Sequence, residues 1–179
     1  MKPAVFLDKD GTLIDDVPYN VDPALITLAP GAREGVRALA AAGYALIVVT
    51  NQSGIARGLF EAGALQGVRD RMMVLFGANF DDFRHCPHGP DDGCACRKPL
   101  PGMLVDAARE HGIDLASSWM VGDILNDVEA GRRAGCRTIL IDNGNETQWV
   151  DGPFRRPHHR VATMGQAANI ILAAERLAA

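Results

Sequence analysis

Short, wholly apolar runs alternate along the chain with stretches whose apolar residues recur every three or four positions. Ala4–Leu7, Ala45–Val49, Trp119–Val121 and Thr138–Ile141 are runs of the first kind and predict buried strands, each ending near a polar residue or a glycine. Phe80 to Cys86 is read as a further strand. Between the first two strands, Pro30 opens a helix that Gly43 closes, with Val36, Leu39 and Ala40 on its inward face. Other helices are predicted over Glu61 to Phe76, from Pro101 to His111 with Met103, Leu104 and Ala107 inward, and from Leu125 to Ala134 ahead of Gly135. A last amphipathic helix runs from Gln166 to Leu177.

This alternation predicts an α/β fold of three layers, Rossmann-like, with a central parallel sheet flanked by helices. Such sheets gather their functional groups at the carboxyl ends of the strands. Asp8-Lys9-Asp10, Thr50-Asn51-Gln52 and Gly122-Asp123 follow three of the predicted strands and are therefore expected to meet at one edge. The stretch from Asn143 to Thr163 shows neither period, and its Arg155, Arg156, His158 and His159 are expected in a solvated loop.

Composition narrows the class. A chain of 179 residues with 47% hydrophobic residues suits one domain, spanning residues 1–179. A net charge of −4 argues against an extended surface for nucleic acid or anionic membrane. No apolar run is long enough to span a membrane, and the short N-terminal apolar run ends at Asp8, unlike a signal peptide. Three of the four cysteines fall between Cys86 and Cys96. That clustering suits a reduced, cytoplasmic compartment and a metal better than a disulfide framework.

The chemistry begins with Asp8 and Asp10. In an extended strand end, residues two apart project to the same side, and two carboxylates so close repel unless a hard cation lies between them. That arrangement suits phosphoryl transfer: one carboxylate attacks phosphorus, and the other gives and takes protons. Thr50, Asn51, Gln52 and Ser53 offer a hydroxyl, amides and turn N–H groups to phosphate oxygens. Lys98 supplies a compact cation, and Asp123 would complete an oxygen-rich site for Mg²⁺. Asp127 suits the metal and a helix N-terminus equally well. Cys86, His88, Cys94 and Cys96 form a Cys-x-His-x5-Cys-x-Cys array, a complete donor set for tetrahedral Zn²⁺ with no open position, which would staple loop 86–96. Cys136 stands apart and is expected to be a buried apolar residue.

The order of these groups, an acid pair, Thr-Asn, Lys and Gly-Asp-x3-Asp, resembles the four motifs of the haloacid dehalogenase (HAD) superfamily over Phe6 to Asp127. The resemblance implies a phosphatase with Asp8 as nucleophile, Asp10 as general acid/base, and Thr50 and Lys98 as phosphoryl-stabilising groups. It implies Mg²⁺ held by Asp8, Asp123 and the carbonyl of Asp10. No large cap insertion separates the motifs, so an open site and a small phosphorylated sugar are expected, with the chain acting as a monomer. The zinc array followed by Arg97-Lys98-Pro99 is similar to two bacterial branches, the heptose-bisphosphate phosphatases and the histidinol-phosphate phosphatases. The stretches Asn51 to Gly58 and Lys98 to Leu104 favour the first. That branch's substrate contacts match at Asp16, Tyr19, Ser53 and Arg97, whereas Ile14 and Ile124 depart from its pattern. A nucleic-acid 3′-phosphatase fits the acidic balance poorly. A non-catalytic scaffold fits poorly with the presence of Asp8, Asp10, Lys98 and Asp123 together.

Overall fold

The computed structural model describes residues 1–178. Its element order is β1 (Ala4–Leu7), α1 (Ala32–Ala41), β2 (Ala45–Asn51), α2 (Leu65–Phe76), β3 (Asp82–Cys86), α3 (Gly102–His111), β4 (Trp119–Gly122), α4 (Leu125–Ala134), β5 (Arg137–Ile141), β6 (His159–Val161) and α5 (Met164–Ala178). The six strands form one parallel sheet in the order β3-β2-β1-β4-β5-β6.

The sheet is buried on both faces, which is why its central strands are apolar throughout. Residues alternate between faces along a strand. Val5 and Leu7 join Val36 and Leu39 of α1, Val68 and Met72 of α2 and Ile171 of α5 in one core. Ala4 and Phe6 point the other way, into a core with Met103 and Leu104 of α3 and Ala130 of α4. Cys136 is buried in that second core, as its isolation in the sequence suggested. No helix among the described residues is long and apolar enough to cross a membrane.

Three expectations are corrected. Ala40 is exposed, because the buried stripe of α1 runs through Ala32, Gly35, Val36 and Leu39, and position 40 lies about 90° from its centre. The strand expected from Phe80 begins at Asp82. The stretch from 143 to 163 contains β6, which pairs with β5 through Ile139↔His159 and Ile141↔Val161. β6 is a three-residue edge strand with two exposed residues, so no apolar run announces it.

Register places the site. Leu7 pairs with both Val48 and Val121, and the N–H of Asp8 donates to the carbonyl of Val121 at 2.9 Å. Asp8 therefore leaves the middle of the sheet between the ends of β2 and β4.

Candidate active site

Lys98 reaches this edge from the segment ahead of α3. Its Nζ lies 2.5 Å from Asp8 Oδ1, 2.6 Å from Asp127 Oδ1 and 2.9 Å from the carbonyl oxygen of Val49. Asn51 fixes the lysine's backbone: its Nδ2 donates to the Lys98 carbonyl (2.9 Å), and its Oδ1 accepts the Lys98 N–H (3.0 Å). Asn51 was expected among the substrate contacts. Both ends of its amide bond the Lys98 backbone, and Asn51 also lines the cavity beside Asp10.

Asp127 fills the helix-start role its position suggested, and its second oxygen lies against Lys98. Its Oδ2 accepts the N–H of Ile124 at 3.2 Å, starting α4, while Oδ1 faces Lys98. The close approach demands glycine at 122, because a Cβ there would lie 2.3 Å from Asp127 Cβ. Asp8, Asp123 and Asp127 bring carboxylate oxygens within 4.8 Å of one another. Asp10 sits beside them. Its Oδ1 is 2.5 Å from Lys9 Nζ, and its Oδ2 accepts Gln52 Nε2 at 3.2 Å, which also donates to Thr50 Oγ1 at 2.8 Å. Gln52 thus links the expected proton donor to the expected phosphoryl-binding hydroxyl.

Four carboxylates (Asp8, Asp10, Asp123, Asp127) thus face two ammonium groups (Lys9, Lys98), leaving two negative charges uncompensated. Burial and the neighbouring Asp127, Asp123 and Asp10 push Asp8 well above the usual carboxylate range, despite the opposing pull of Lys98. Burial and Asp127 push Asp123 up to about 7, while Asn145 and Lys98 act against the rise. Lys98 is held above its ordinary value because Asp127 and Asp8 outweigh its desolvation. A dication would supply the missing charge. The donor set is all oxygen, as hard cations require.

A cavity of about 270 Å³ opens beside Asp10 and is lined by Asp16, Tyr19, Gln52 and Ser53 among others. Tyr19 has φ 58, the only positive value among the described non-glycine residues, and Arg57 packs 5.4 Å from its ring centre. Holding a bulky residue in that region costs about 1–3 kcal/mol, a strain that concentrates at binding sites. Burial and the nearby Asp10 raise the Asp16 carboxyl. Arg97 does not join this group. Its guanidinium donates to the carbonyl of His88 at 3.0 Å and lines a second cavity of about 460 Å³ with Lys98, Leu100 and Asn126.

Cys86, His88, Cys94 and Cys96 converge as their spacing predicted. Cys86 Sγ lies 3.5 Å from His88 Nδ1, 3.6 Å from Cys94 Sγ and 2.9 Å from Cys96 Sγ, and His88 Nδ1 lies 3.3 Å from Cys96 Sγ. A zinc tetrahedron with bonds of about 2.3 Å has edges of about 3.8 Å, so the cluster is already near that size. Burial and Cys96 push the Cys86 thiol up to about 12, and a cation at the centre of the cluster would favour the thiolate. The loop is tied to β2 through the N–H of Gln52, which donates to the Cys86 carbonyl at 2.8 Å.

Comparison with known proteins agrees with this geometry. A profile of the family described as HAD-hydrolase-like matches residues 95–167. The D-glycero-beta-D-manno-heptose-1,7-bisphosphate 7-phosphatase of Bordetella bronchiseptica is 43% identical over 145 residues, covering 79% of this chain and 81% of that protein. The chain belongs to the haloacid dehalogenase family of phosphatases. The phosphatase is also 37% identical to the protein of the same name from Pseudomonas aeruginosa, over 84% of this chain and 86% of that one. Among solved structures, the D,D-heptose 1,7-bisphosphate phosphatase from B. bronchiseptica, complexed with magnesium and phosphate, superposes with a TM-score of 0.86. It covers 97% of this chain and 99% of its own, at 37% identity.

Sequence reasoning missed one part of the site. Asn143, Asn145 and Glu146, in the stretch expected to be a solvated loop, bond to Gly11, Asp123 and Leu125. The polar run Asn143-Gly144-Asn145-Glu146 directly after β5 was the available signal, since strand ends of the other motifs carry the site.

Proposed function

We propose that the enzyme removes the 7-phosphate of a D-glycero-D-manno-heptose 1,7-bisphosphate through an aspartyl-phosphate on Asp8, using Mg²⁺, with Zn²⁺ stapling loop 86–96. The observation that carries the chemistry is Lys98 Nζ, set between Asp8 and Asp127 with Asp123 alongside. The relatives' shared name supports the substrate.

An oxygen of Asp8 forms a bond to phosphorus as the bond from phosphorus to the sugar oxygen breaks. Asp10 passes its proton to that departing oxygen, then accepts one from the water that attacks the phospho-aspartate. The second attack frees Asp8 and releases inorganic phosphate. Lys98 and Thr50 hold the transferring oxygens, and Gln52 keeps Asp10 and Thr50 in register. Asp8, Asp123 and the carbonyl of Asp10 would hold Mg²⁺, which neutralises charge on the phosphate oxygens.

Asp16, Tyr19 and Ser53 line a cavity of a size for a sugar, and they supply hydroxyl and carboxylate partners for its hydroxyls. Arg97, in the second cavity with Lys98, would take the phosphate that is not cleaved, using remote binding to orient the reacting one. As proposed, the enzyme acts in the cytoplasm as a monomer of one domain, where reducing conditions keep the zinc thiolates available. Phosphate release from the heptose bisphosphate and from histidinol phosphate, compared side by side, tests the assignment. The heptose bisphosphate is expected to give the higher kcat/KM, with phosphorus NMR showing loss of the 7-phosphate signal alone. A preference for histidinol phosphate would transfer the enzyme to the other branch.

A further inference from the structure

The turn that follows β5 is tied to the site at three points. Asn143 Nδ2 donates to the carbonyl of Gly11 at 2.7 Å. Asn145 Nδ2 donates to Asp123 Oδ2 at 2.8 Å. Glu146 Oε2 accepts the N–H of Leu125 at 2.8 Å. The turn is itself braced, because Asn145 N–H donates to Asn143 Oδ1 (3.0 Å) and Gln148 N–H to Glu146 Oε1 (2.7 Å).

Each tie answers a local need. Leu125 is the first residue of α4, and Ile124 ahead of it has no side-chain acceptor for the unpaired N–H groups of the helix start. Glu146 supplies that acceptor from 21 residues away, with the charge that a helix N-terminus favours. Gly11 follows the acid pair with φ 77, and a Cβ there would lie 2.1 Å from Asp123 Oδ2 and 2.5 Å from Asn145 Nδ2. The Gly11 backbone, the Asp123 carboxylate and the Asn145 amide are therefore stacked without spare room.

We infer that Asn145 is a positioning residue for the metal ligand Asp123. Its amide fixes one carboxylate oxygen against rotation, while Asn143 and Glu146 anchor the turn to the Asp8 loop and to α4. The turn thus joins the two segments that carry the proposed Mg²⁺ ligands. Partners of this kind, one step removed from the ion, change metal affinity by about 10–100-fold when lost. The inference rests on the proposal that Asp123 holds Mg²⁺.

The test is calorimetric titration of Mg²⁺ into chelator-stripped protein in phosphate-free buffer at about pH 8. The wild type is compared with Asn145→Ala, Glu146→Ala and Glu146→Gln. Asn145 is exposed at the surface, so its truncation is expected to leave the metal-free melting temperature within roughly 2 °C of wild type. Asn145→Ala is expected to weaken Mg²⁺ binding by roughly 10-fold or more, with saturating Mg²⁺ recovering most of kcat and KM for the sugar phosphate little altered. Glu146→Ala should weaken it in the same direction, and Glu146→Gln, which keeps an acceptor for Leu125, should restore it. Wild-type Mg²⁺ affinity in Asn145→Ala overturns the inference, as does a weakening matched by a general loss of metal-free stability. A wild-type protein that takes up no Mg²⁺ overturns instead the functional reading beneath it.

Discussion

Asp123 makes a prediction that needs no substrate. Burial and Asp127 raise its carboxyl to about 7, against a usual value near 4 in an unfolded chain. Without metal, the folded protein keeps this proton to near neutrality, whereas the unfolded chain has already released it. The folded state then binds more protons, so stability falls as pH rises through the folded value. Between about pH 6 and about pH 8 the loss amounts to about 1–2 kcal/mol, and Asp8, raised for the same reasons, adds a loss of the same sign. For a chain of this size that corresponds to a fall of roughly 3–6 °C in melting temperature. His85 and His158, held low chiefly by burial, lose stability in the opposite direction as pH falls. Their contribution cancels when the wild type is compared with Asp123→Asn. The assay is thermal melting of both proteins in EDTA across that window, then of the wild type with Mg²⁺. The wild type should lose stability that the variant does not, and Mg²⁺ should raise and flatten its curve by binding the ionised carboxylates. If the metal-free curves of the two proteins run parallel throughout, the charge imbalance described for the site is wrong.

Two further outcomes are expected. Asp8→Asn should abolish turnover while preserving the circular dichroism spectrum, and Asp10→Asn should slow turnover by roughly 10²–10⁴-fold; wild-type rates in either variant would remove that residue from its role. Cys94→Ser or Cys96→Ser should lower zinc content, measured by elemental analysis, and worsen both kcat and KM by loosening Lys98 and Arg97; zinc loss with unaltered kinetics would separate the cluster from their placement.

The sheet and its two cores were legible because parallel strands buried on both faces must be apolar along their whole length, as Ala4–Leu7 and Ala45–Val49 are. The convergence of Asp8, Thr50, Lys98 and Asp123 followed from strand ends and motif order. What escaped was information that only contact supplies. β6 owes its place to pairing with β5, not to its own composition. Asn51 and Ser53 look alike as polar residues beside β2 and both line the cavity, yet only Asn51 bonds the Lys98 backbone. Asn145 lies 22 residues beyond Asp123, and no local period records their hydrogen bond.

The strand order has a consequence for how the molecule is made. β1 lies between β2 and β4, and the Ala4 N–H bonds to Ser118 Oγ across 114 residues of chain. α1 packs on α5, joining the early and late parts of the sequence. A nascent chain emerging from the ribosome can pair β1 with β2 early, but one side of β1 stays open until β4 is synthesised. Its second edge then presents unpaired N–H and C=O groups next to Asp8, a surface open to mispairing. Asp8, at the end of β1, is therefore enclosed only once β4 has paired on the strand's second side.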